Sequence, residues 1–140
     1  MKKVLNNLGE MSEFAADIAG EVCDGQILAL EGDLGSGKTT FTKFFAEALG
    51  ITNPVTSPTF TIMKKYEIEA TDRKMVHVDC YRLANEDDAI SIGLEEYFAD
   101  GKSICVIEWP EKISKLIPKE RTKTIMFKYI DENSREVEYR

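Results

Sequence analysis

One stretch of the chain carries its clearest signal: Gly32-Asp33-Leu34-Gly35-Ser36-Gly37-Lys38-Thr39-Thr40. It matches the phosphate-binding pattern G-x-x-x-x-G-K-[ST] at every specified position. Glycines let successive backbone N–H groups turn inward around a phosphate chain. The lysine then reaches the β- and γ-phosphates, and the hydroxyl that follows it holds Mg²⁺. The pattern therefore predicts a nucleotide site with the binding residues Asp33, Leu34, Gly35, Ser36, Gly37, Lys38, Thr39 and Thr40.

The sequence on either side of this loop supports the same prediction. Upstream, residues 27–30 form an apolar run of strand length. Downstream, apolar residues recur with helical spacing, at Phe41, Phe44, Phe45, Ala48 and Leu49. A helix that begins at the loop directs its free N–H groups and its positive dipole end toward an anion. A glycine-rich turn that matches by chance is the alternative, and the flanking strand and helix make it the weaker one.

Length and composition indicate a single domain over residues 1–140, because 140 residues support one core and not two. The chain has no apolar run of membrane-spanning length and does not begin like an export signal. Its three cysteines, Cys23, Cys80 and Cys105, have neither disulfide nor zinc spacing, and their apolar surroundings are typical of buried thiols. We therefore expect a cytoplasmic protein with no membrane partner.

The charge balance bears on nucleic-acid binding. Acidic residues outnumber basic ones by 25 to 18, which gives a net charge of −7. A chain that holds nucleic acid by itself usually has a basic patch and a high pI. If nucleic acid is involved, we expect another subunit to hold it. Residues 85–100 contain six acids and no basic residue, which indicates a solvated helix face or, alternatively, a docking surface for a basic partner.

Periodicity and turn residues predict the other elements. Val4 and Leu5 fit a short edge strand, Ser12 fits the N-cap of a first helix, and Gly50 fits the end of the helix after the loop. Further strands are predicted over residues 60–68, 74–78, 104–107, 123–130 and 135–139, the last two as a β-hairpin.

Two of these strands run into a carboxylate, Asp79 in one case and Glu108 in the other. In α/β proteins, ligand-facing acids lie at the carboxyl ends of strands, and such an acid beside a phosphate-binding loop is typical of the residue that meets its Mg²⁺. His77 has the same strand phase as Asp79 and is able to contact it. A lone strand histidine is usually structural, so we assign His77 no catalytic role. Trp109 is expected to cap the core.

Residues 55–61 are rich in hydroxyl groups and contain Pro58. Local chemistry favours an ordinary Ser/Pro turn. In nucleotide switches, however, loops near the γ-phosphate are ordered by it, and Thr59 is then the residue of interest. For the base, the candidate contacts are the turn near Gly9 and Arg135 of the hairpin.

Missing motifs narrow the class of nucleotide-binding protein. The sequence has no N-K-x-D, which guanine-specific GTPases carry, and no L-S-G-G-Q, which ABC ATPases carry. The short segment after Glu108 leaves little room for the arginine-rich lid of small-molecule kinases.

Four motifs, in order, resemble those of the TsaE (YjeE) family: G-D-L-G-S-G-K-T-T at 32–40, S-P-T-F-T at 57–61, V-D-C-Y-R-L at 78–83 and I-E-W-P at 107–110. The resemblance implies a three-layer α/β/α P-loop NTPase fold whose mixed sheet has a parallel core and antiparallel flanking strands. It also implies a cytoplasmic ATPase subunit that acts with TsaD and TsaB in bacterial synthesis of threonylcarbamoyladenosine beside the tRNA anticodon. Contact with tRNA would then be indirect, through that complex.

The resemblance also implies roles for particular residues. Thr39 and Glu108 would hold Mg²⁺, and Asp79 would bind or orient water near the γ-phosphate, so that Lys38, Asp79 and Glu108 form the catalytic set with ATP and Mg²⁺ as cofactors. We expect the isolated chain to hydrolyse ATP slowly. Two other interpretations stay open: a stand-alone small-molecule kinase, and a nucleotide-binding scaffold without hydrolysis. The presence of both Asp79 and Glu108 argues against the scaffold.

Overall fold

The computed structural model describes residues 1–56 and 62–140. Its strands are β1 (Lys2–Leu5), β2 (Ile27–Glu31), β3 (Met63–Glu67), β4 (Lys74–Asp79), β5 (Ile104–Glu108), β6 (Thr122–Tyr129) and β7 (Arg135–Tyr139). They form one sheet in the order β1-β7-β6-β2-β5-β4-β3. The four strands β6, β2, β5 and β4 are parallel, whereas β1, β7 and β3 pair antiparallel at the flanks. The predicted mixed sheet with a parallel core is confirmed.

Helices cover both faces of this sheet. Helices α1 (Leu8–Glu21) and α2 (Lys38–Leu49) share one buried cluster with the sheet, and the short helices α3 (Glu86–Ser91) and α4 (Leu94–Ala99) share a second cluster on the opposite face. Every residue of β5 is buried, as its unbroken apolar run predicts for a central strand. Across the described residues, no helix is long and apolar enough to span a membrane.

Phe41 anchors α2 to the sheet and so positions the loop that precedes this helix. Its side chain has no exposed surface, and its ring centroid lies 5.8 Å from that of Phe14, 5.6 Å from Phe45 and 5.5 Å from Phe127. These contacts join α1, α2 and β6. Because aromatic pairs at this spacing add to the free energy gained by burial, the start of α2 is held firmly against the sheet.

The predicted N-cap of α1 is wrong. The cap is Asn7, whose side chain accepts a hydrogen bond from the N–H of Glu10 at 2.9 Å. The Glu10 carboxylate in turn accepts from the N–H of Asn6 at 3.2 Å. This reciprocal arrangement is close to a capping box, so the helix begins a full turn earlier than predicted and Ser12 lies inside it.

The buried face of α2 also differs in part from the prediction. Phe41 and Phe45 are buried, but Ala48 is exposed, and Thr42 and Ala46 are buried in its place. The stripe is shifted because α2 packs against α1 as well as against the sheet. The Thr42 hydroxyl donates to the Lys38 carbonyl at 2.8 Å, so its burial leaves no unpaired donor. Gly50 ends the helix in the left-handed region, as predicted.

The flanking strands follow the sequence closely. The edge strand containing Val4 and Leu5 and the C-terminal hairpin are both confirmed. β3 begins at Met63, later than predicted, because Ile62 has a φ of 65° that a strand does not accommodate. The predicted switch segment lies mostly outside the described residues, since residues 57–61, including Thr59, are not among them.

The cysteines do not share one environment. Cys80 and Cys105 are buried as expected, and burial raises the pKa of each thiol to about 12. Cys23 is exposed, so the expectation was wrong for this residue, which lies in the turn after α1.

Thiol titration tests this difference. Because the thiolate is the reactive form, we expect the folded chain to release one equivalent of thionitrobenzoate from Ellman's reagent at pH 8, and three equivalents after denaturation. The Cys23→Ser variant should release none when folded. Rapid reaction of a second thiol in the folded chain would contradict the placement of Cys80 and Cys105.

Candidate nucleotide site

Residues 32–37 form the loop between β2 and α2, here called the glycine-rich loop, and glycine is required at two of its positions. Gly32 has a φ of 147°, and a Cβ there would lie 2.6 Å from the Phe127 carbonyl oxygen and 2.6 Å from Ser36 Oγ. Gly37 is the N-cap of α2 with a φ of 110°. The first N–H groups of a helix have no partner within the helix. The loop therefore presents the start of α2 as an anion-binding position.

The Lys38 side chain is held within this loop. It is 4% exposed, its ammonium donates to the Gly32 carbonyl, and Nζ lies 4.1 Å from the centroid of the Trp109 ring. Burial lowers the pKa of the Lys38 ammonium, and the carboxylates of Glu108 and Asp79 oppose that shift. A cation is thus positioned between the loop and the strand ends.

The two strand-ending carboxylates lie side by side. β4 and β5 are adjacent and parallel, and their register pairs Asp79 with Glu108. Glu108 is buried, at 4% exposure, whereas Asp79 is half-buried and accepts a hydrogen bond from the N–H of Tyr81 at 3.0 Å. The carboxyl ends of parallel strands meet at one edge of a sheet, so both acids lie at the strand ends where the sequence predicted each of them.

Two neighbouring cavities bring the predicted residues together. One, of about 160 Å³, is lined by Lys38, Thr39 and Glu108 with parts of the loop. The other, of about 230 Å³, is lined by Thr39, Asp79 and Glu108 with Leu34, Tyr81, Arg82 and Trp109. We call this joined space the cleft. Leu34, Gly35, Gly37 and Thr40 also line it, but Asp33 and Ser36 line neither cavity.

A third cavity, of about 520 Å³, continues from the same loop. It shares Gly37, Thr40 and, from the hairpin, Arg135 with the cleft, and the start of α1 bounds it at Asn7 and Gly9. The Arg135 guanidinium lies 4.6 Å from the centroid of the Tyr129 ring, and its buried Nε has no hydrogen-bond partner among the described residues. We call this space the side cavity. It is lined by both candidate base contacts from the sequence analysis, the turn near Gly9 and Arg135.

Comparison with known proteins identifies the family. The family model described as "Threonylcarbamoyl adenosine biosynthesis protein TsaE" matches residues 5–137. The chain belongs to the TsaE family. Among curated relatives named tRNA threonylcarbamoyladenosine biosynthesis protein TsaE, that of Bacillus subtilis is 47% identical over 82% of this chain and 69% of its own length. That of Aquifex aeolicus is 34% identical over 96% of this chain and 91% of its own length.

A solved structure shows the same fold. The crystal structure of Bacillus subtilis YdiB aligns with a TM-score of 0.80 and 39% sequence identity, covering 99% of this chain and 83% of that one. The recognition of the TsaE family from four short motifs is therefore confirmed, and so is the fold that the recognition implied.

Two residues of this TsaE family member have roles that the sequence analysis did not predict. Trp109 packs against the second core cluster as expected, but it also covers the Lys38 ammonium and lies 5.0 Å from the Tyr81 ring. Its backbone is left-handed, with a φ of 58°, which is uncommon for a bulky residue and concentrates at functional sites. The other residue is His77, whose Nε2 lies 2.7 Å from Glu108 Oε2 rather than at Asp79. For Trp109, the sequence did carry a signal: it directly follows Glu108, so its side chain was bound to lie close to the predicted site.

The residues of the TsaE cleft fit Mg²⁺. The Thr39 hydroxyl and the Glu108 carboxylate are oxygen donors on the wall of the same cavity. Mg²⁺ prefers oxygen ligands, retains several waters and needs only one or two protein carboxylates.

Proposed function

We propose that this TsaE family member binds ATP with Mg²⁺ and hydrolyses it as the ATPase subunit that supports threonylcarbamoyladenosine modification of tRNA next to the anticodon, with TsaD and TsaB as partners. The observation that carries the proposal is the meeting of Lys38, Thr39, Asp79 and Glu108 in one cleft beside the start of α2. The names of the relatives support the pathway. The net charge of −7 agrees with contact to tRNA through the partners alone.

Each residue has a defined part in this proposal. Lys38 leaves the Gly32 carbonyl and donates to the β- and γ-phosphate oxygens, since charge-assisted hydrogen bonds are the strong ones. Thr39 and Glu108 hold Mg²⁺, which neutralises charge on the phosphates when it is bound. Asp79, half-buried at the mouth of the cleft, accepts a hydrogen bond from the water that attacks the γ-phosphorus. ADP and inorganic phosphate are the products.

The nucleoside belongs in the side cavity. This space continues from the loop through Gly37 and Thr40, and its volume of about 520 Å³ is in the range of small-ligand pockets. Arg135 contributes a buried Nε that lacks a partner among the described residues, and Asn7 contributes a side-chain amide. We propose that these two groups contact the base or the ribose.

Dependence on the partner subunits is the direct test of this function. Phosphoryl transfer at such sites is mostly positioning and charge stabilisation, and one cation supplied in trans is worth roughly 10³–10⁵ in rate. We expect slow steady-state release of phosphate by the purified chain, and stimulation of about tenfold or more on addition of the cognate TsaD–TsaB pair. The Lys38→Ala chain with the same pair is the control, because stimulated hydrolysis that belongs to this chain must disappear.

The opposite result has a clear meaning. Turnover of roughly 1 s⁻¹ or more by the chain alone, a typical enzymatic rate, with no change on addition of the pair, would contradict a partner-dependent ATPase. Transfer of the γ-phosphate to an acceptor in a small-molecule extract would then support the kinase alternative, since only a kinase requires an acceptor other than water.

A further inference from the structure

His77 is a buried polar side chain that the proposed reaction does not use directly. It lies inside β4 with no exposed surface. Its Nε2 is 2.7 Å from Glu108 Oε2, and its Nδ1 has no hydrogen-bond partner among the described residues. A buried imidazole with one hydrogen bond is costly to keep. The hydrogen bond to Glu108 is the only one that the described residues offer this imidazole, so it is the contact whose purpose we examine.

The sheet register produces the contact. β4 and β5 are parallel and aligned, so that His77 pairs with Val106 and Asp79 pairs with Glu108. His77 and Glu108 are thus diagonal neighbours on one face of the sheet, within reach of a long side chain. This is the face on which α2 packs, since Val106 belongs to the cluster that contains Phe41.

The hydrogen bond has a defined direction. The ionised form of Glu108, which is the form that binds a metal, accepts only, so in that form Nε2 carries the proton and donates it to Glu108 Oε2. One oxygen of the carboxylate is thereby held against the sheet, and the side chain keeps a single orientation toward the cleft that it lines with Thr39. Outer-shell hydrogen bonds of this kind orient metal ligands, and their loss typically costs 10–100-fold in metal affinity or activity.

We propose that His77 is a positioning residue, which donates Nε2–H to Glu108 so that this carboxylate is oriented for the Mg²⁺ of the bound nucleotide. The inference rests on the proposed function, because it requires Mg²⁺–nucleotide in the cleft, and it deepens that function by adding a residue behind the metal ligand. The competing interpretation is that His77 only fills space in the core.

Three substitutions separate these interpretations. His77→Gln keeps a donor at the ε position, His77→Asn keeps a polar side chain but moves its donor to the δ position, and His77→Leu removes the donor while filling the space. The non-hydrolysable nucleotide AMP-PNP is the probe. Trp109 is the single tryptophan of the chain and lines the cleft, so its fluorescence reports binding.

The measured quantity is the Mg²⁺ concentration that gives half of the full increase in AMP-PNP affinity. We expect it to rise roughly 10–100-fold in His77→Leu and His77→Asn and to stay within about threefold of wild type in His77→Gln. AMP-PNP affinity without Mg²⁺ should stay within about twofold in all three variants, because the hydrogen bond acts on the metal ligand. The melting temperature of each variant without nucleotide shows whether it folds as stably as wild type. If His77→Leu does not fold, the difference between His77→Asn and His77→Gln still decides between the two interpretations.

A double-mutant cycle shows whether His77 acts through Glu108. In a Glu108→Gln background, His77→Asn should change the Mg²⁺ requirement by less than about twofold, because coupled residues are not additive. An unchanged Mg²⁺ requirement in His77→Asn, or an effect that persists in full in the Glu108→Gln background, would overturn the inference while leaving the proposed function intact. Failure of the wild-type chain to bind AMP-PNP in a Mg²⁺-dependent way would instead overturn the proposed function, and this inference with it.

Discussion

Lys38→Ala is expected to lower ATP hydrolysis by roughly 10²–10³-fold, the typical cost of removing one group that stabilises charge in the transition state. Lys38 is the cation that the structure holds between the glycine-rich loop and the strand ends, with its ammonium on the Gly32 carbonyl and beneath Trp109. Charge-assisted hydrogen bonds are each worth about 1.5–3 kcal/mol, so affinity for MgATP should fall as well. Isothermal titration calorimetry and steady-state phosphate release measure the two effects.

A lysine on the same helix provides the matched control. Lys43 is exposed on α2, so Lys43→Ala removes the same charge without touching the cleft. We expect wild-type affinity and turnover from this variant. Unchanged ATP affinity and unchanged hydrolysis in Lys38→Ala would contradict the assignment of residues 32–40 as a phosphate-binding loop.

Glu108→Gln is expected to damage the Mg²⁺-dependent steps far more than nucleotide binding itself. A metal ion stabilises transition-state charge by several kcal/mol, and each 1.36 kcal/mol is tenfold in rate. Hydrolysis should therefore fall by about 10²-fold or more. The amide keeps the shape of a side chain that is 4% exposed, so loss of charge rather than loss of packing is tested.

The metal-free affinity of Glu108→Gln for ATP is not expected to fall. ATP affinity in excess chelator should hold or increase in Glu108→Gln, because the substitution removes a negative charge close to the site of the phosphates. Glu95→Gln is the control, since Glu95 is exposed on α4 and lines neither cavity of the cleft. If the Mg²⁺ dependence of Glu108→Gln matched that of wild type, Asp79 would have to be the carboxylate ligand instead.

Local signals predicted most of the fold because the interactions behind them span only a few residues. Gly32 and Gly37 adopt backbone conformations that other residues avoid, so their spacing marks the loop directly. The unbroken apolar run of β5 marks a strand buried on both faces. Asp79 and Glu108 were each predicted at the end of a strand, because an apolar run followed directly by an acid is a local pattern. Their proposed roles stay predictions.

Where two local signals were compatible with the sequence, local patterns alone did not identify the one that the fold uses. Ser12 and Asn7 are both good N-caps, and the reciprocal hydrogen bonds of Glu10 favour the earlier one. The buried face of α2 was predicted on the assumption that the helix packs only against the sheet. Ala46 is instead buried in a cluster that also includes residues of α1. A helix that packs against two partners buries a wider face than its apolar pattern alone indicates.

The amino-acid sequence by itself determined the loop, the strands and the carboxylates at their ends, because each depends on neighbouring residues and on backbone geometry. Only the tertiary structure placed His77 against Glu108, a residue 31 positions away, and Lys38 beneath Trp109. It also brought Arg135 to the side cavity beside Asn7. These contacts follow from the order and pairing of strands that are distant in the sequence, which the apolar pattern within any one strand does not specify.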